Sequence, residues 1–143
     1  MKGLPTLIRL HQWQLDQKRK ELAALERLKT DFVAQLDRLQ QDLIAEQQVA
    51  AGNEIGMFAY ASYAIGVAAR REMLNASIEE VEEQIIAKRA EITAAFHEVK
   101  RYEIAQREVE RRREAELARL EQINLDEVAL NIYRLRTADA RKT

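Results

Sequence analysis

From Leu4 to Ala50 apolar side chains return alternately every three and four residues. One seam position of this heptad holds Ile8, Leu15, Leu22, Lys29, Leu36, Leu43 and Ala50, and the other holds Leu4, His11, Lys18, Leu25, Phe32, Leu39 and Glu46. That spacing draws an apolar stripe down one side of an α-helix. It predicts a coiled-coil helix over about 4–51, roughly 70 Å long at ~1.5 Å per residue. A second heptad places Tyr60, Val67, Leu74, Val81, Lys88, Ala95, Tyr102 and Val109 on one seam and Ala64, Arg71, Ile78, Ile85, Ile92, Val99, Gln106 and Arg113 on the other. Its apolar character holds to about Tyr102 and then fails where Gln106, Arg113 and Glu116 take the inward positions. It resumes at Leu117, Leu120 and Ile123 and returns in a shifted phase at Leu125, Val128, Ile132 and Leu135. A second helix is therefore predicted over about 57–123, continuing or restarting to about 137. Asn124 with Glu127 has the spacing of a capping box, and an unbroken helix is equally compatible.

Between the two patterns lie Gly52, Asn53 and Gly56, which interrupt a helix through backbone entropy and tolerance of positive φ. They predict a hairpin turn over about 52–56. Folding the chain at residue 54 brings Leu4 opposite a residue near 104, so the first helix runs out where polar residues invade the second seam. The expected fold is all-α and single-domain, a long antiparallel two-helix coiled-coil hairpin whose second helix is the longer. The last thirty-odd residues then form a lone helical arm of roughly 50 Å. Such an arm gains little from helix propensity alone, so its apolar residues from Leu117 to Leu135 imply a partner.

Composition agrees with the pattern and narrows the chemistry. Pro5 is the single proline, placed to suit a first helical turn, and no stretch alternates with period two. The net charge is −1, which selects neither nucleic acid nor membrane, and the absence of cysteine removes disulfides and thiolate chemistry. The start of the chain is too short and too charged for a signal peptide. The uncharged stretch Ile55–Ala69 is too short for a membrane span. A soluble chain without direct membrane insertion is expected.

No catalytic constellation and no phosphate-cradling glycine loop is present, so neither an enzyme nor a cofactor is expected. His11 and His97 face each other under a fold at residue 54, with no carboxylate or thiol spaced to complete a metal site. Arg107, Arg111, Arg112 and Arg113 alternate with Glu108, Glu110, Glu114 and Glu116 at helical spacing. That reads as a salt-bridged solvated face rather than a nucleic-acid contact. Met57, Phe58, Tyr60, Tyr63 and Val67 crowd a hairpin tip with little core to bury them, and are balanced between a partner surface and local packing.

Two local motifs carry a resemblance that covers nearly the whole chain. After the turn come an aromatic, an aromatic three residues on and an aliphatic four later, Tyr60, Tyr63 and Val67. Near the end comes the acidic-aliphatic-alanine element Leu125-Asp126-Glu127-Val128-Ala129. In these and in its hairpin plan the chain resembles the flagellar export protein FliJ family. The resemblance implies a role in flagellum biogenesis and motility, as a part of the type III protein export apparatus. It implies a cytoplasmic protein held peripherally at the inner face of the cell membrane. It implies binding to the flagellar export ATPase ring, in the manner of a rotary-ATPase stalk, with further contacts to the export gate protein FlhA and to export chaperones. Tyr60, Tyr63 and Val67 are then the gate-binding candidates. They share one stripe of a helix, with Tyr60 and Val67 on the seam and Tyr63 on its flank. Position and exposure, rather than a motif, suggest Arg9, Lys18, Arg112 and Arg113 as charged contacts to the ATPase and Leu4, Leu117 and Leu120 as apolar ones. The alternative is a generic structural coiled coil that buries the arm and tip against further copies of itself.

Overall fold

In the computed structural model, which describes residues 3–142, the chain forms two helices, α1 (Leu4–Ala50) and α2 (Glu54–Lys142), with no strand among the described residues. They pack antiparallel as a helical hairpin, and α2 is the longer. The chain divides into two compact units, His11–His97 and Met1–Leu10 with Glu98–Thr143.

The first unit contains the turn. In it Leu15, Ala50, Val67, Leu74, Val81 and Ile85 are buried, every one a heptad seam position. The remaining seam positions of this unit are half-buried, apart from Glu46 and Arg71, which are exposed. No side chain in the described residues is fully enclosed. Two helices meet along a line, and each seam residue keeps one side toward solvent.

The turn is shorter than glycine spacing suggests. It occupies only residues 51–53, and Gly56 lies inside the first turn of α2. Asn53 is the reason. Its side-chain Oδ1 accepts a hydrogen bond from the Ile55 N–H at 3.1 Å and its carbonyl accepts one from Met57 at 2.9 Å, the pattern of a helix N-cap. Glu54 in the first turn then complements the helix dipole. Neither Gly52 nor Gly56 has a positive φ. The glycines act here through the absence of a side chain and not through a left-handed conformation.

The second unit packs the start of α1 on the part of α2 that begins at Glu98. Leu4, Ile8 and Val99 are buried, and Tyr102, Gln106 and Val109 are half-buried. The Gly3 carbonyl accepts the Leu7 N–H at 3.0 Å and opens α1, with Pro5 in the first turn where it costs no hydrogen bond. From Arg111 to Lys142 every described residue of α2 is exposed except Thr137. The helix runs through Asn124 without a break, so Asn124 caps nothing.

Candidate functional site

Three groups of side chains stand out from the apolar packing: the tip, a set of charged pairs across the hairpin, and the arm. At the tip Val67 is buried and Tyr60 half-buried, while Tyr63 is 39% exposed. Tyr63 stands between two open grooves. One is lined with Gln35, Arg38, Leu39 and Asp42 of α1 and Gly66 and Arg70 of α2, the other with Glu46, Val49, Ala50 and Asn53. Of the three tip candidates it is the one whose side chain offers substantial surface. Sequence reasoning singled out Phe58 at the tip but passed over the row it belongs to on the outward side of α2. Ile55, Phe58, Ile65 and Met73 are all strongly exposed, Phe58 at 82%. Their spacing of three, seven and eight residues is the signal that could have found them, had α2 been started at Glu54.

Across the hairpin the seam cations are all paired. Lys88 Nζ donates to Glu21 at 2.6 Å and reaches Glu91 at 2.8 Å, and Lys18 lies 3.8 Å from Glu91. Lys29 meets Glu82 at 3.2 Å and Arg89 meets Glu26 at 3.3 Å, while Arg71 donates to the Gln40 side chain. The hydrogen bond from Lys88, with its charge, holds the Glu91 carboxyl below its ordinary value, and Glu21 followed by Glu91 raises Lys88. Lys18 is thus half-buried in this network and belongs to the unit that holds the turn. Lys18 meets Glu91 rather than the residue 90 expected from a fold at residue 54, and Lys29 meets Glu82 rather than 79. Among the described residues there is no group of three or more His, Cys, Asp or Glu able to hold a metal ion.

The other ATPase candidates fall in the second unit. Leu4 is 7% exposed and is taken up by packing, and Arg9 is exposed. Arg112 Nε donates to Glu108 at 3.1 Å, beside a 2.7 Å contact from Arg111, and Arg113 is exposed. Arg111 and then Arg112 hold the Glu108 carboxyl down to about 2, and Arg119 lowers Glu116 in the same way. These pairs are the solvated, salt-bridged face that charge spacing predicts. Leu117 and Leu120 are exposed, together with Ile123, Leu125, Val128, Ile132 and Leu135. Around the helix Leu117, Leu120, Val128, Ile132 and Leu135 share one side, broken by Glu121, Asn124 and Asn131.

No helix among the described residues is long and apolar enough to cross a membrane. The sequence model described as FliJ, flagellar FliJ protein, matches residues 1–138. Neither the comparison with curated proteins nor that with solved structures gave a match.

Proposed function

The chain belongs to the flagellar FliJ protein family and is a component of flagellar protein export, and from that premise we propose that it acts as a non-catalytic stalk on the export ATPase. The observation that carries this reading is the exposed apolar side of α2 from Leu117 to Leu135, which has no partner surface in its own unit. A helix with nine large hydrophobic side chains open to water is a docking element, because monomeric proteins seldom leave such surface uncovered. In this reading Leu117, Leu120 and Arg113 of the arm, with Arg9 at the start of α1, meet the inside of the ATPase ring. Leu4 contributes by fixing the start of α1 on α2, and Arg112 by holding Glu108. Lys18 takes no part in that contact, since its charge is engaged by Glu91.

The tip serves a second contact. Tyr63 is the residue offered to the export gate protein FlhA, supported by Tyr60 and Val67 beneath it. Contacts with export chaperones and a peripheral position at the inner face of the cell membrane complete the proposal, on the strength of the family alone.

The test uses the full chain with Leu117→Glu and Leu120→Glu. Both sites are already exposed, so helix content should hold while stimulation of the purified export ATPase falls at least tenfold. Full stimulation by the folded double variant would refute the stalk assignment. Sedimentation of the unmodified chain separates the competing reading, in which the arm pairs with a second copy: a stalk sediments as a monomer at micromolar concentration.

A further inference from the structure

An apolar heptad seam specifies that two helices pair but not where along their length, because every layer looks like the next one seven residues away. In a hairpin the turn usually settles the matter. Here it does so poorly. Gly52 and Gly56 are four residues apart, and moving a turn by half a heptad moves the pairing by a whole one. A turn centred on Gly56 would leave both apolar seams in contact, one heptad out of step. The chain thus carries two turns compatible with its apolar pattern, and the structure uses only the first.

We propose that the lysines at seam positions 18, 29 and 88 form a register code that excludes the pairing a turn at Gly56 would give. In the observed register each lysine has a carboxylate from the facing helix: Lys18 has Glu91, Lys29 has Glu82 and Lys88 has Glu21. Outside the seam, Arg89 has Glu26. Displacing α2 by one heptad toward the Gly56 turn replaces these neighbours with the residues seven further on. Lys29 then meets Arg89 where it had Glu82, and Lys88 meets Leu28 where it had Glu21, with Lys29 beside it. Glu26 meets Phe96, and of the three seam lysines only Lys18 would find a carboxylate on the facing helix, Lys88 keeping just Glu91 of its own helix.

Displacement the other way fares no better. Lys18, Lys29 and Lys88 would meet Gln84, Asn75 and Gln14, and the outer positions would set Glu26 against Glu82 and Arg89 against Arg19. Only the observed register gives every seam lysine an acid from the facing helix and sets no like charges together at these positions. A half-buried lysine without a partner weakens a seam, and two facing each other are worse, so the code acts mainly by penalising wrong pairings. The lysines cost some stability relative to leucine, and what they supply is a single register.

The absence of cysteine makes the test direct. Two spin labels at Ala34→Cys and Ala94→Cys, both exposed and outside the code, report one distance across the hairpin. A one-heptad displacement toward the Gly56 turn shortens that distance by about 10 Å, at ~1.5 Å per residue. The unmodified background should give one narrow distribution. Lys29→Glu sets two acids together in the observed register but matches Lys88 and Arg89 in the displaced one. It should produce a second population about 10 Å shorter or, if neither register holds, a broad loss of structure. Adding Glu82→Lys to Lys29→Glu restores complementarity and should return the single native distance. A Lys29→Glu protein that keeps only the native distance would overturn the proposal and assign the register to the turn. So would a double variant that fails to return to the native distance.

Discussion

Gly56 sits where a helix wants a side chain. A Cβ there would lie 3.5 Å from the Ala50 Cα and 3.6 Å from the Asn53 Cβ, which is ordinary contact. With no positive φ to preserve, Gly56→Ala should stabilise the hairpin by about 0.5–1 kcal/mol through lower unfolded-state entropy. A thermal or denaturant midpoint that falls would mean that the start of α2 is more crowded than these distances allow. Tyr63 poses the opposite case, a large side chain that the hairpin only partly uses. Tyr63→Ala should leave the melting midpoint nearly unchanged and weaken binding to FlhA by roughly thirtyfold, ~2 kcal/mol. Unchanged affinity for the folded variant would return the tip to plain structure. What single residues hid from sequence reasoning was the cap: Asn53 was legible as a helix breaker, but its service as N-cap to α2 depends on the Ile55 N–H being within reach. The five residues from Gly52 to Gly56 look symmetrical until that bond is formed.

Along the elements, seam periodicity was the strongest signal, and burial follows it from Leu4 to Val109 with few exceptions. Depth was less legible. Leu22, Leu25, Leu36 and Leu39 are half-buried, whereas Val81 and Ile85 on α2 are buried. A heptad marks the facing side but not which of two facing side chains lies deeper. Ile85→Ala should therefore cost about 2–4 kcal/mol and Leu36→Ala distinctly less. Equal losses in denaturant melts would contradict this ranking. In the arm the pairs with Glu108 and Glu116 make helix stability depend on acid. Both carboxyls titrate below their ordinary value of 4.5 in the folded chain, Glu108 at about 2. Their contribution is present in full above that ordinary value and is lost as the pH falls from about 4.5 through about 2. Amide protection over residues 105–120, corrected for the intrinsic pH dependence of exchange, should fall across that window, and Glu108→Gln should reduce the dependence. No change across the window would show that the arm's helicity owes nothing to these pairs.

On the scale of the whole molecule, the two units differ in what they leave uncovered. The unit His11–His97 closes its apolar seam on itself and engages its seam lysines with internal acids. The other unit closes only as far as Val109 and then continues as more than thirty residues of solvated helix. That an arm lacks an internal partner was readable in the sequence from the failure of the seam at Gln106. That it remains one helix through Asn124 was not, because a capping box and a helical i, i+3 pair share the same spacing. Hydrogen exchange on the full chain, alone and with the purified export ATPase, tests the stalk reading most directly. We expect residues 111–142 to exchange fast in isolation, for want of packing, and to become protected on adding the ATPase, with the tip around Tyr63 unchanged. An arm that is already protected in isolation, or that gains no protection beside the ATPase, would contradict the account.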